Sequence, residues 1–275
     1  MSYAMSHAIP DLLAYKGALV AIWLAGIFLA ERFWPAASLP APVVRAPLAR
    51  LGRNLALAAI NFLLSPLVIL PLTAVAAGHA LAWRPAWWQG WPGLVLDLLL
   101  LDFLIYWWHR ANHQWRPLWR FHLVHHLDRT LDSTSALRFH FGEVLISAAA
   151  RAGAILLLGF PFLSIVAFET LLLLATIFHH SNLRLPRRLE AALAALVITP
   201  SIHWVHHHRR QIDTDSNYGT VFSFWDRLFR SRSAERRSPE MEIGVEGAEE
   251  LALPGLLLRP VRAGSVRAGS PAEEN

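Results

Sequence analysis

The chain has 275 residues, of which 55% are hydrophobic and 16% charged, and its mean hydropathy is +0.36. This composition excludes an ordinary soluble protein and favours a bilayer as the solvent. The absence of cysteine excludes disulfides, thiolate metal sites and cysteine nucleophiles. The formal net charge is +5, but arginines beside apolar runs are explained by membrane orientation, so we expect no nucleic-acid partner.

Long apolar runs recur along the chain, each near the roughly 20 residues that a helix needs to cross a ~30 Å hydrocarbon core. They cover residues 12–30, 55–82, 91–108, 144–159 and 162–178. The first run is expected to be retained and not cleaved as a signal peptide. The last two are expected to form a membrane hairpin, residues 144–178, bent at Pro161. We therefore predict an all-α integral membrane protein with about four to five membrane helices.

Arginines indicate the orientation of these helices. Arg45, Arg50 and Arg53 lie between the first two runs, and the positive-inside rule places this loop in the cytoplasm. By alternation, residues 109–142 and the residues after His179 face the same side. The histidine-rich segments and the C-terminus are therefore predicted to be cytoplasmic.

The chain divides into three regions. We assign residues 1–108 to membrane-anchor helices, residues 109–230 to a histidine-rich region that includes the hairpin, and residues 231–275 to a tail. The tail is rich in Ser, Glu, Arg and Gly and carries a tandem Val-Arg-Ala-Gly-Ser repeat at 261–270. Such a composition predicts disorder, because it offers little apolar surface to bury.

Histidines are concentrated in the middle region. Of the fourteen in the chain, twelve lie between positions 109 and 208. On a helix, residues at i, i+3 and i+4 fall within an arc of about 100°, so each group can direct two or three imidazoles toward one point. A single ion takes at most about six ligands, so this many converging histidines predict two ions, held in a helical cap on the cytoplasmic side.

Three groups have the spacing of metal ligands. They comprise His109 and His113, then His122, His125 and His126, and finally His203, His206 and His207. Two more positions, His140 and the pair His179 and His180, lie between these groups. His7 and His79 map to the opposite side of the membrane, and His208 is expected to flank the site, because a third consecutive position points away from the first two.

A buried carboxylate precedes the first histidine pair. Asp102, Tyr106, His109 and His113 are spaced 4, 3 and 4 apart and form one stripe on a helix. Asp102 is a candidate to accept the distal N–H of a ligating imidazole and so fix its tautomer. A hydrogen bond between helices is the structural alternative.

The order HxxxH, HxxHH and HxxHH resembles the signature of the fatty acid hydroxylase and sterol desaturase superfamily of integral-membrane non-haem iron enzymes. The segments 106–110, 137–140, 178–182, 214–219 and 224–229 resemble its bacterial members, so the likeness covers about residues 95–230. His180 resembles the single histidine that the family places before a small polar residue. His140 and His179 are candidates for metal binding or for support of the site.

The resemblance implies a helical membrane stem, a cytosolic cap whose histidines hold two iron ions, and a place in a bacterial inner membrane. It further implies an O2-dependent hydroxylase or desaturase acting on a fatty acyl chain, a sterol or a related lipid. The oxidative chemistry would belong to the metals, so we assign no catalytic nucleophile or general base. The sequence has no GxGxxG fingerprint for a flavin or nicotinamide, so a separate reductase, ferredoxin-like protein or cytochrome is expected to supply electrons.

Other classes of protein fit the motifs less well. A membrane zinc hydrolase would need a carboxylate beside its histidines, as in HExxH, and neither HxxxH nor HxxHH contains one. A metal or proton transporter, or a haem protein, would place histidines inside the spans, whereas these lie mostly beyond the span ends.

Overall fold

The computed structural model describes residues 3–38 and 47–262. The helices are α1 (Tyr3–Phe33), α2 (Pro47–Leu64), α3 (Leu70–Gly78), α4 (Gly90–Gln114), α5 (Arg116–His126), α6 (Phe141–Leu158), α7 (Phe162–His180), α8 (Arg187–Ala194), α9 (Pro200–His206), α10 (Gln211–Thr214), α11 (Phe224–Leu228) and α12 (Leu253–Leu258). Short 3₁₀ helices cover Ser133–Leu137 and Arg259–Val261. The predicted all-α fold is thereby confirmed.

Five candidate membrane spans are present in this part of the chain. In order, spans 1 to 5 are Leu13–Phe33, Pro47–Gly78, Gly90–Gln114, Phe141–Leu158 and Phe162–His180. Span 3 is a single unbroken helix, so the boundary predicted between residues 108 and 109 falls inside it. This helix therefore carries the first histidine pair directly from the membrane into the cap.

Span 2 joins α2 to α3 through a π-helical segment, Ser65–Ile69. Pro66 has no N–H to donate, and its ring cannot fit beneath the preceding turn of a regular α-helix. The wider π turn accommodates it. Two consecutive helical segments thus act as one long span.

Spans 4 and 5 form a hairpin whose turn contains Gly159 and Pro161. Gly159 has a φ of +67°, which ends α6, and a Cβ there would lie 2.6 Å from the Leu81 carbonyl oxygen. Arg84 Nε donates to the Leu158 carbonyl at 2.8 Å. The last turn of α6 is therefore held by the loop between spans 2 and 3.

The cap is attached to the spans by buried charged groups. Arg50, at the start of span 2, lies 2.7 Å from Asp128 and 2.8 Å from Asp132. Glu31 of span 1 accepts hydrogen bonds from the Ser133 hydroxyl and from the Asn182 backbone N–H, both at 2.8 Å. Burial alone would raise the pKa of Asp128, but the charges of Arg50 and Arg138 lower it to about 2.

The segment after Arg230 departs from the sequence prediction. Residues 231–262 fold back on the cap, where disorder was predicted for 231–275. Leu256 is fully buried in a cluster with Leu57, Trp119 and Leu123, and Glu250 accepts hydrogen bonds from Arg53 and Arg138. The leucines of 251–258 supply an apolar face that the average composition of the tail concealed. Residues 263–275, which include most of the tandem repeat, lie outside the described residues.

Candidate metal centre

Nine histidines form two compact groups at the junction of spans and cap. Group A consists of His109, His113, His122, His126 and His206, and group B consists of His125, His180, His203 and His207. Within each group, one potential ligand atom from every ring lies within 4.8 Å of all the others. All nine ligands predicted from the sequence lie in one group or the other, and every ring in group B is buried.

Helical spacing decides how the rings divide between the two groups. Residues at i and i+4 stay together, as His122 and His126 do in group A and His203 and His207 in group B. The residue at i+3 goes to the opposite group: His125 joins group B, and His206 joins group A. The expectation that each sequence motif points toward one centre was wrong for the two HxxHH motifs. Each supplies ligands to both groups.

Group B has the spacing expected around one cation. His180 Nε2 lies 3.0 Å from both His125 Nε2 and His203 Nε2, and His203 Nε2 lies 3.2 Å from His207 Nε2. Metal–imidazole bonds of about 2.0–2.1 Å put neighbouring ligand nitrogens about 3.0 Å apart at right angles and about 3.4 Å apart in a tetrahedron. The observed distances lie in this range.

Group A has buried ring nitrogens that no protein group satisfies. Nε2 of His113, His122, His126 and His206 is buried without a hydrogen-bond partner. An unsatisfied buried polar atom is costly and rare in folded proteins. The potential ligand atoms of this group lie within 4.8 Å of one another, so one common partner could satisfy all four. A metal ion meets that need, so the residues present fit a metal in group A as well.

Hydrogen bonds on the outer side of the rings set their tautomers. His122 Nδ1 lies 2.7 Å from Glu143 Oε1. The Nδ1 atoms of four other rings lie close to backbone carbonyl oxygens: His109 to Tyr218 (2.9 Å), His125 to Arg138 (3.2 Å), His180 to Thr176 (2.8 Å) and His206 to Ser216 (2.7 Å). An Nδ1–H that donates outward leaves Nε2 free to bind metal. Sequence reasoning missed all five partners. Four are backbone carbonyls with no residue signature, and Glu143 lies outside the motifs.

Burial disfavours the protonated form of four cap histidines. Burial, followed by repulsion from neighbouring histidines, lowers the pKa of His126, His203 and His207 well below 6.5. Burial likewise lowers the pKa of His206 to about 3. Neutral imidazole is the form that binds a metal ion.

The remaining histidines lie outside both groups. His140 Nδ1 accepts the Gly142 backbone N–H at 2.9 Å, and its Nε2 lies 3.1 Å from the Leu257 carbonyl oxygen, so this ring joins the start of α6 to α12. The His179 ring packs 4.0 Å from the His203 ring between centroids. His208 Nδ1 lies 2.9 Å from Asp213 Oδ2. Of these three rings, only that of His179 packs against a ring of either group.

Asp102 has a different partner from the one predicted. Its carboxylate accepts the backbone N–H groups of Val221 and Phe222 at 3.2 and 3.1 Å and the Trp225 indole N–H at 2.8 Å. It does not contact an imidazole, so the predicted role of fixing a histidine tautomer is corrected. Asp102 instead fastens the segment after α10 to span 3.

A cavity of about 250 Å³ lies between spans 3, 4 and 5 and reaches both histidine groups. His109 and His122 of group A and His125, His180 and His203 of group B line one end of it. Its walls carry Ile105, Val144, Leu172 and Leu173. An apolar ligand would therefore meet both groups from the membrane side.

Comparison with known proteins decides the family. The model of the family described as fatty acid hydroxylase matches residues 94–231, half of the chain, which contain every histidine of both groups. The chain belongs to the fatty acid hydroxylase family. No solved structure matches it.

Two curated relatives of this family member carry names that state an oxidation of a lipid or an alkylglycerol. The chain is 32% identical over 181 residues to the ornithine lipid hydroxylase OlsE of Rhizobium tropici, covering 63% of this chain and 53% of that one. It is 31% identical over 162 residues to the alkylglycerol monooxygenase of Caenorhabditis elegans, covering 54% and 30% of the two chains. The chain thus spans about half of the first relative and less than a third of the second.

Proposed function

We propose that this protein is a membrane-bound non-haem di-iron oxygenase that hydroxylates or desaturates a lipid-like substrate, such as a fatty acyl chain, a sterol or a related lipid. The observation that carries the proposal is the pair of buried all-histidine groups at the end of an apolar cavity between spans. Membership of the fatty acid hydroxylase family and the lipid-oxidising relatives support it.

Two iron ions, when bound, would supply the O2 chemistry that oxidises an unactivated C–H bond. Group A would hold one ion and group B the other. The chain's own residues hold the rings in place: Phe139 stacks on His125 at 4.4 Å between centroids, and Glu143 orients His122. The apolar walls would exclude water and align the lipid chain with the histidine end of the cavity.

Hydroxylation with O2 inserts one oxygen atom into the C–H bond and reduces the other to water, which consumes two electrons and two protons. We propose that a separate donor supplies these electrons. His113 of group A also lines a surface pocket together with Arg110, Arg116 and Arg230. Through this pocket, one ring of group A lies close to a basic surface that a donor could approach.

Measuring the metal bound per chain tests the proposal most directly. The protein would be purified in detergent from iron-replete cells, and iron and zinc per chain would be measured for the parent and for His207→Ala. We expect about two irons in the parent and a clear loss in His207→Ala, because this residue is one of only a few ligands in group B.

The neighbouring residue provides a matched control. His208→Ala changes the same residue type in the same run, but its ring contacts Asp213 and belongs to neither group. It should keep the parent's iron content. A single tightly bound zinc, or no metal in the parent, would overturn the oxygenase proposal and favour a hydrolase or a transporter.

A further inference from the structure

The wall of the lipid cavity contains one strongly basic residue. Arg151 lies in the interior of α6, within span 4, and lines the same cavity as the metal-binding rings. A charged side chain inside a membrane span is expensive and usually has a function. Nothing in the metal-binding arrangement uses Arg151.

The ion pairs around Arg151 leave a positive charge uncompensated. Its Nη2 lies 3.4 Å from Glu169 Oε1, while Lys16 Nζ lies 2.6 Å from Glu169 Oε2. Two cations thus share one carboxylate, and the trio carries a formal charge of +1. Arg151 Nε is buried without a hydrogen-bond partner. The guanidinium of this cavity-lining residue therefore keeps an unpaired N–H donor and a net positive charge.

The position of Arg151 relative to the histidines defines the shape of that ligand. Glu143, which contacts His122, lies eight residues earlier on the same helix. At about 1.5 Å per residue, the two side chains start about 12 Å apart along the helix axis. Leu172 and Leu173 line the cavity along with them. A ligand with an anionic end at Arg151 would thus extend an apolar chain toward the histidines.

We propose that Arg151 binds the carboxylate of an amphiphilic substrate and sets which part of its apolar chain reaches the metal groups. The planar guanidinium fork suits a carboxylate, and a desolvated pair of this kind is strong. This inference rests on the proposed function, because it names the substrate class of the same cavity.

Binding without turnover tests it. The purified protein in lipid nanodiscs, with no electron donor present, would be titrated with a fluorescent polyene fatty acid and, separately, with its methyl ester, following energy transfer from tryptophan. The parent should bind the acid roughly ten- to hundredfold more tightly than the ester, since a hydrogen bond to a charged group is lost in the ester. Arg151→Met should abolish this preference and leave ester binding unchanged.

Two further variants separate the proposed contact from general effects. Arg187→Met removes an exposed cap arginine and should keep the parent's preference, while Arg151→Lys retains the charge without the fork and should show an intermediate preference. Equal binding of acid and ester by the parent, or an undiminished preference in Arg151→Met or Arg151→Lys, would overturn the inference. Iron content measured on the same variants reports separately on the oxygenase proposal.

Discussion

The contact between His122 and Glu143 is a single side-chain interaction with a predictable effect on metal affinity. The carboxylate accepts from His122 Nδ1 at 2.7 Å and makes a longer contact of 3.3 Å with Asn112. Glu143→Gln removes the negative charge that makes the imidazole a better ligand. Loss of such an outer partner typically lowers metal affinity by about 10- to 100-fold. Competition with a chelator for bound iron would measure this change.

Glu242→Gln is the control for that prediction. Its carboxylate pairs with Arg209 on the surface, with 69% of the side chain exposed, so neutralising it should leave metal affinity unaltered. Equal affinities in Glu143→Gln and the parent would mean that Glu143 does not act on His122.

Asp102 gives a second prediction for a single residue. Its substitution should lower the stability of the protein without changing its metal affinity. Asp102→Asn places an amide NH2 where the carboxylate accepted three donors, which leaves at least one buried donor unsatisfied at a cost of about 1–3 kcal/mol. We expect a lower unfolding temperature and unchanged metal affinity below it. Reduced affinity with unchanged stability would restore the role that the sequence suggested, orientation of an imidazole.

The sequence named the nine histidines that the fold brings together, but not their hydrogen-bond partners. Histidine spacing on a helix is readable from residue types alone, so all nine ligand candidates could be named. Whether Asp102 faces an imidazole or the backbone of Val221 depends on how residues 221–225 pack against span 3, which no local pattern encodes. The same limit explains why His125 and His126 could not be assigned to different groups in advance.

Helices and segments show where hydropathy patterns succeed and fail. The apolar run 91–108 located span 3, but α4 continues to Gln114 because Arg110, Ala111 and Gln114 favour a helix without being part of an apolar run. In the tail, an average over many polar residues hid α12, whose burial depends on contact with Leu57 and Trp119. Composition describes a segment's solvent preference and not its tertiary partners.

The ion pairs that connect span 2 to the cap give a prediction at the scale of helices and segments. Arg50 is buried and contacts both Asp128 and Asp132, so Arg50→Met leaves two buried carboxylates with weaker compensation. Removal of one partner from such a network typically costs about 3–5 kcal/mol. We expect a large fall in thermal stability, measured by loss of the folded fraction on heating in detergent.

Arg53→Met is the comparison within the same helix. The Arg53–Glu250 pair is about one-fifth exposed on either side, at 21% and 17%, and a partly solvated pair contributes about 0–1 kcal/mol. Its variant should lose little stability. Similar losses in the two variants would show that burial of the Arg50 network does not determine the strength of this connection.

At the scale of the whole molecule, the cavity between the spans has its histidine groups at one end, where the spans meet the cap. The loop between spans 2 and 3 holds the Gly159 end of the hairpin through Arg84, while both histidine groups lie at the opposite end. Under the proposed function, a lipid in the cavity would therefore meet the two histidine groups near one membrane surface only. That surface must be the cytoplasmic one if soluble cellular donors are to supply electrons to the site.

The absence of cysteine makes this orientation directly measurable, because one introduced thiol is then unique in the chain. Ala86 lies exposed in the loop between spans 2 and 3, and Ala234 lies exposed on the cap. In spheroplasts, a membrane-impermeant maleimide should label Ala86→Cys before lysis and Ala234→Cys only after lysis. The positive-inside rule predicts this result from Arg45, Arg50 and Arg53, and the reverse labelling pattern would place the metal groups outside the cytoplasm, away from soluble cytoplasmic electron donors.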